Sequence, residues 1–206
     1  MESETEKLEY RIILEQIVPG SRVLELGCGD GRLLELLVKE KKVKAQGLEI
    51  DEQAIYKCVA RGLSVLHGDI EQGLSEYQDQ VFDYVVMDRT FQELGKPGKA
   101  IDEALRVGKK VIVAFPNFVH FKARAQIFFK GRVPVTPALP YEWHDTPNLH
   151  FLSISDFIRF CVKREIKIEK QVFIAGVKEI SIFPNLFAEI GLFVISRSAR
   201  QTKGSG

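Results

Sequence analysis

Residues 23–31 read Val-Leu-Glu-Leu-Gly-Cys-Gly-Asp-Gly, an apolar run leading into glycines at alternate positions, Gly27, Gly29 and Gly31. Glycines in such a series permit a tight turn and let a ligand approach the main chain closely. That is chemistry for holding a nucleotide-like cofactor, and the spacing discriminates among cofactors. A dinucleotide fingerprint, G-x-G-x-x-G, seats a pyrophosphate on the following helix. Its third glycine would stand at position 32, which is Arg32. The missing glycine counts against a dehydrogenase, and no Gly-Lys-Ser/Thr follows to make a P-loop. Glu25 and Asp30 add two carboxylates that would repel a pyrophosphate. They suit a ligand carrying an ammonium or sulfonium charge.

Two further acids stand where a nucleoside needs them. Glu49, in Gly47-Leu48-Glu49-Ile50-Asp51, is about 20 residues past the glycines, where an acid accepts ribose hydroxyls in related folds. Asp69, in His67-Gly68-Asp69-Ile70, can accept from an adenine amine with Ile70 against the ring. Either acid could instead cap a helix, as Asp51 is expected to do. Cys28, inside the loop, reads as a small residue filling a tight turn.

An acceptor for group transfer needs positioning and sometimes a base near neutral pKa. His120, His144 and His150 fall between 120 and 150, with Asn117, Tyr141 and Asp145 nearby. These form the candidate acceptor wall, with His120, Tyr141, His144 and His150 as the catalytic candidates. The alternative is that Tyr141, Trp143 and the prolines pack this segment onto the body of the protein. His144, Asp145 and His150 could offer N and O donors to a metal. No third-ligand spacing supports that, and no metal is expected.

The elements that must position these residues follow from periodicity. Leu8, Ile12, Ile13 and Ile17 predict a helix over 6–17, stopped by Pro19-Gly20. Strands are expected at 22–26, 44–50, 63–67, 82–87 and 109–115, alternating with helices at 31–40, 52–61 and 98–107. Apolar strands alternating with helices predict a parallel sheet covered on both faces. After Phe115 come a helix over 118–130, a proline-rich irregular stretch over 131–150 and a helix over 153–164. Strand-like runs at 166–174 and 192–196 predict an antiparallel edge. The expected fold is α/β, a three-layer sandwich with a Rossmann-like seven-stranded, mostly parallel sheet. Phe183, Leu186, Phe187, Ile190 and Leu192 read as core beside those edge strands, and Lys122, Arg124, Lys130 and Arg132 as a solvated basic face.

The 206 residues suffice for one domain, and such a chain buries roughly 70% of its unfolded surface without disulfides or metal. We expect a single domain over 1–198, with 131–150 as a substrate or partner loop insertion and 199–206 as a disordered tail. Lys and Arg number 29 against 28 Asp and Glu, which is not the basic excess of a nucleic-acid binder. No run approaches the ~20 apolar residues that span a bilayer. Residues 1–9 carry four Glu and one Lys and no apolar run, so no secretory signal is expected. Cys28, Cys58 and Cys161 form neither a zinc pattern nor a disulfide framework, which points to reduced thiols in the cytoplasm.

Glu25-x-Gly27-x-Gly29-x-Gly31, Glu49 and Asp69 together resemble the motifs of class I S-adenosylmethionine (SAM) methyltransferases. A closer resemblance, to the MetW family of bacterial methionine-biosynthesis proteins, covers nearly the whole chain. It is carried by Glu49-Ile50-Asp51, by residues 82–86, 105–108 and 115–118, and above all by Gly131–Thr136 running into Ala138–His150. The resemblance implies SAM as cofactor, S-adenosylhomocysteine (SAH) as product, and a role with homoserine O-acyltransferase. The implied cofactor set is Glu25, Gly27, Cys28, Gly29, Gly31, Glu49, Ile50, Asp69, Ile70 and Asp88. The sequence departs from the family at Asp88-Arg89-Thr90, where relatives often carry a small polar residue and Gln-Thr. In this fold that region faces the methyl donor. Two functions are expected to compete: methyl transfer to an unidentified acceptor, a small metabolite or a protein, or a non-catalytic SAM-binding partner that modulates the acyltransferase.

Overall fold

The computed structural model describes residues 4–198; the expected tail at 199–206 lies outside them. Helix α1 (Glu4–Gln16) buries Leu8, Ile12 and Ile13 on one stripe, as the 3.6-residue period requires. The strands are β1 (Arg22–Leu26), β2 (Lys44–Glu49), β3 (Val65–His67), β4 (Phe82–Asp88), β5 (Gly108–Pro116), β6 (Ile166–Ala175), β7 (Lys178–Glu179) and β8 (Ile190–Arg197). Between them lie α2 (Arg32–Lys41), α3 (Glu52–Ala60), α4 (Pro97–Val107), α5 (Phe121–Lys130), α6 (Ile154–Lys163) and the short α7 (Pro184–Phe187).

One sheet runs in the order β3-β2-β1-β4-β5-β8-β6-β7. The first five strands of that order pair in parallel, and β8, β6 and β7 join antiparallel. The mostly parallel sheet with an antiparallel edge is the expected class. The strand count differs: the turn at Val177 returns through Lys178–Glu179 to pair with β6, making an eighth strand of two residues. So short a segment carries no alternation for a sequence reading to detect.

Strand residues alternate between two cores because successive side chains point to opposite faces. Leu24, Val85, Met87, Val113 and Phe115 pack with α4 and α6 on one side. Val23, Tyr84, Val86, Ile112 and Ala114 pack with α1 and α2 on the other. The first core centres on Phe157, whose ring lies 4.7 Å from Phe193 and 5.2 Å from Phe115. Truncating such a ring to alanine costs about 3–5 kcal/mol.

Helix ends follow local chemistry. Asp51 caps α3, its Oδ1 accepting from the Ala54 amide at 2.8 Å, and Ser153 caps α6 by accepting from Asp156 at 3.1 Å. Ile190 and Leu192 are buried, but Phe183 and Phe187 are 72% and 42% exposed. The core expected there is confined to β8, because Phe183 and Phe187 belong to the short α7 and its cap, a turn that buries none of its own residues.

The chain travels β1 to β2 to β3 and then crosses back to β4 on the other side of β1. Such a switch point opens a crevice at the carboxyl ends of the two central strands. Gly27 stands at the end of β1, and Asp88 at the end of β4.

Candidate functional site

The glycine loop lies in that crevice, shaped by its surroundings. Gly27 has φ +71°, and a Cβ there would stand 2.4 Å from Thr90 Oγ1. Thr90 Oγ1 in turn donates within the same turn, 3.0 Å from Leu26 O. Only glycine satisfies both the left-handed backbone and this close approach. At Gly31, φ +79°, a Cβ would meet Leu63 and Cys58 at 2.6 and 2.8 Å. Gly31 therefore lets α2 start against α3.

A cavity of about 570 Å³ opens beside the loop, lined by Gly27, Gly29, Glu49, Ile50, Asp69 and Ile70, and by Asp88 to Thr90 across the crevice. A second, of about 510 Å³, shares Gly27, Gly29, Asp88, Arg89 and Glu93 with it and continues past Glu25 and Cys28. Its far wall is Gln92, Tyr141 and Asn148. Both volumes suit a small organic ligand.

Glu49 is held by the main chain. Its Oε1 accepts from the amides of Ile50 at 2.8 Å and Asp51 at 3.0 Å, and its Oε2 from Gly29 at 2.8 Å. A carboxylate has about four lone-pair positions, so Oε2 keeps one for an outside donor. Asp69 caps the short turn at Ile70–Gln72, accepting from Glu71 at 2.8 Å, and lines the first cavity as well. The capping role its position allowed is therefore seen, and its carboxylate stands at the cavity as well.

Glu25 is 3% exposed, and its Oε2 has no hydrogen-bond partner. Burial first, then the neighbouring Glu49 and Asp30, push its carboxyl up to about 8. A buried acceptor in this state favours a donor or cation brought from outside. Asp88 Oδ1 is likewise out of solvent, and burial, then Glu9, whose carboxyl reaches Asp88 by a side-chain hydrogen bond, hold the Asp88 carboxyl well above the usual range. Arg89 is tied to Glu9, with Nε and Nη2 at 3.0 and 2.6 Å from Glu9 Oε2. Arg89 has φ +53°, unusual for a side chain of its size.

The wall contains Tyr141 but not the histidines. His120 is buried and caps α5, its Nδ1 accepting from the Lys122 amide at 3.4 Å, and burial lowers its pKa. Asn117 is spent on the carbonyls of Asn185 and Ala188 at 3.2 and 2.8 Å. His144 and Asp145 are exposed and line neither cavity. His150 is exposed too; its backbone amide, not its ring, reaches the site by donating to Gln92 O at 3.1 Å. Trp143 does not pack onto the body of the protein but is 72% exposed. Gly31 lines neither cavity. Cys28 lines the second, its thiol pushed up by burial, and sits where a Cβ on Gly47 would meet it at 2.5 Å. That is a space-filling position.

Sequence reasoning overlooked Glu9, Gln92 and Asn148. A signal existed for Glu9: it shares a helical stripe with Ile12 and Ile13, so a charge there is buried. Gln92 follows the end of β4, where a switch point places ligand contacts. Nothing in the irregular 131–150 stretch singled out Asn148.

This architecture is that of the SAM-dependent methyltransferases. A possible histamine N-methyltransferase of Thermotoga maritima superposes with TM-score 0.65 at 21% identity, over 94% of this chain and 91% of that one. A SAM-dependent methyltransferase of Mesorhizobium loti does so with TM-score 0.66 at 15% identity, over 92% and 98%. A Haloferax volcanii putative methyltransferase, solved with its Trm112 activator, gives 0.65 at 18% identity, over 92% and 88%. The family model for "Methionine biosynthesis protein MetW" matches residues 7–195, and the chain belongs to that family. It is 32% identical over 178 residues to the bifunctional methionine biosynthesis protein MetXA/MetW of Rhodopirellula baltica. That match takes in 82% of this chain but only 29% of its longer relative.

Proposed function

We propose that the two joined cavities form one SAM site and that the chain transfers methyl groups, within methionine biosynthesis, to a small-molecule acceptor. One observation carries the reading: Glu25 Oε2, buried and unpartnered, stands beside a left-handed glycine turn and opposite a carboxylate fixed by three main-chain amides. This matches the needs of a ligand with an ammonium at one end and a ribose at the other.

Bound there, SAM supplies an electrophilic methyl group on a sulfonium centre. Glu25, ionised, holds the ammonium. The free lone pair of Glu49 takes a ribose hydroxyl. Asp69 accepts from the adenine amine, and Ile70, 9% exposed, offers its side to the ring. Gly27 and Gly29 let the main chain approach closely. Tyr141 and Asn148 face the acceptor from the loop over 131–150, which the Leu149 and His150 amides tie to Gln92 O at 3.0 and 3.1 Å. Cytoplasmic metabolism is the setting, in keeping with Cys28, Cys58 and Cys161 as free, buried thiols.

Calorimetry with SAM, and then with SAH, tests the reading. Micromolar binding by the wild type, weakened in Glu49→Ala, is expected. A folded chain that binds neither overturns it.

The Rhodopirellula relative favours a second reading, because it unites MetXA and MetW in one chain. Here the protein binds SAM without turnover and modulates homoserine O-acyltransferase as a partner. Acylation of homoserine would then respond to this chain and to SAM while no methyl is consumed. Methyl consumption with any acceptor rejects it.

A further inference from the structure

Glu9 Oε1 and Asp88 Oδ1 are both buried, and neither meets an N–H or hydroxyl donor. The two carboxyl groups are hydrogen-bonded to each other. Two carboxylates cannot bond in this way, so one group carries a proton, and that single proton satisfies both oxygens. Glu9 Oε2 is held by Arg89 at the same time. Glu9, Asp88 and Arg89 thus form a cluster with one shared proton and no net charge. Asp88 also belongs to the small set of residues that line both cavities, with Gly27, Gly29, Arg89 and Glu93. In the SAM reading the ammonium lies at Glu25 in the second cavity and the ribose at Glu49 in the first. The sulfonium sulfur joins those two parts of the ligand, so its charge falls at the junction. Of the junction residues two are glycines, Arg89 is spent on Glu9, and Glu93 is exposed to water. Asp88 remains to meet that charge.

We propose that Asp88 tells the methylated cofactor from the demethylated one: it gives up the proton shared with Glu9 when a sulfonium occupies the junction, and keeps it when a neutral thioether does. This rests on the SAM reading above. The charge count is the reason. With Asp88 protonated, Glu9 and Arg89 cancel, and SAH adds no charge at the junction. SAM adds one positive charge there, and loss of one proton from Asp88 restores neutrality. The released proton goes to solvent. As a sulfonium becomes a thioether, Asp88 takes one proton back, matching the one that methyl transfer to an O–H or N–H acceptor sets free. The other titratable groups near Asp88 do not make this distinction. Glu25 on β1 answers the ammonium, which both ligands carry, so its proton cancels between them. Tyr10 on α1 donates to Glu6 at 3.1 Å and is further held in its neutral form by burial.

Calorimetry on the full chain, in two buffers of different ionisation enthalpy, counts the protons released with SAM and with SAH. Between about pH 5.5 and pH 6.5 the amines of both ligands stay protonated, since an α-amine titrates at roughly 7.7–8.0. SAH binding is measured first, so the two readings fail separately. Absence of SAH binding removes the SAM reading and this proposal together. With both ligands bound, SAM should release up to about one proton more than SAH, and the SAM/SAH affinity ratio should rise by up to about tenfold per pH unit. Asp88→Asn keeps a donor for Glu9 but has no proton to lose. It should bind SAH and erase both differences, whereas Glu93→Gln should keep both. If Asp88→Asn does not fold, Glu9→Gln decides: it donates to an Asp88 that is already ionised, so the extra proton should vanish there too. Equal proton counts for SAM and SAH in the wild type overturn the proposal. So does SAH binding without SAM binding, an excess that survives Asp88→Asn, or one that is lost in Glu93→Gln.

Discussion

Glu49 Oε2 accepts the Gly29 amide hydrogen at 2.8 Å, across 20 residues of chain. The acid at the end of β2 and the glycine loop after β1 are thus clasped into one unit. Glu49→Ala removes the clasp and the proposed ribose acceptor together. It should cost roughly 1–3 kcal/mol in SAH affinity, the value of a hydrogen bond to a charged group and its unmatched partner. Calorimetry on the variant checks this, and an unchanged Kd would take Glu49 out of the site.

Gly27 and Thr90 occupy mutually exclusive space. Gly27→Ala combines a left-handed alanine with a contact to Thr90, and should destabilise the chain by about 2–4 kcal/mol. Thr90→Ala in the same chain should recover part of that loss. Urea unfolding of both single variants and the double gives the coupling. Additive losses would mean that crowding against Thr90 is not the reason for a glycine there.

Glu25 should make stability depend on pH in a direction unusual for a carboxylate. Its folded pKa, about 8, lies above the ordinary 4.5, so the folded chain binds the extra proton. The contribution is fully present below about pH 4.5 and is lost as pH rises through about 8, by an amount of up to about 5 kcal/mol. Glu25→Gln should flatten this loss in thermal unfolding between pH 5 and pH 9. A ligand ammonium favours the ionised form, so binding near pH 6.5 should release a proton. Calorimetry in two buffers of different ionisation enthalpy reads that proton directly.

The Glu9–Arg89 pair joins α1 to the end of β4. Glu9 is fully buried, while the Arg89 side chain is 38% exposed. Arg89→Met strands the acid and should cost about 2–4 kcal/mol, somewhat less than for a pair buried at both ends. Adding Glu9→Leu should restore much of the stability, since an apolar pair replaces a buried ionic one at little net cost. Chemical denaturation of the cycle tests this, and a double variant no better than Arg89→Met would contradict it.

The histidines should separate by role. His120→Ala removes the α5 cap and should cost about 0.5–2 kcal/mol of stability. His144→Ala and His150→Ala should leave both stability and SAH binding unchanged. A loss of SAH affinity in either would bring those rings to the site.

The glycine loop was legible in the sequence because its requirements are local. A strand, three alternate glycines and a helix start impose a backbone path that few other residues can follow, and Gly27 and Gly31 indeed take left-handed conformations. The positions of Glu49 and Asp69 were legible for a related reason: Glu49 ends β2 and Asp69 stands two residues past β3, and parallel order alone carries the strand ends to one edge of the sheet. Periodicity likewise marked the helices and the two faces of the core. The acceptor side had no such local rule. The stretch over 131–150 has no period, so residue type could not tell Tyr141, which lines the cavity, from His144, which does not. Glu9 meets Arg89 across 80 residues, and no spacing encodes such a meeting. Only folding α1 against the end of β4 created that ion pair and brought Glu9 beside Asp88. Turn geometry and strand polarity are properties of short segments, whereas which polar atoms end up dry and unpartnered is settled by packing of the whole.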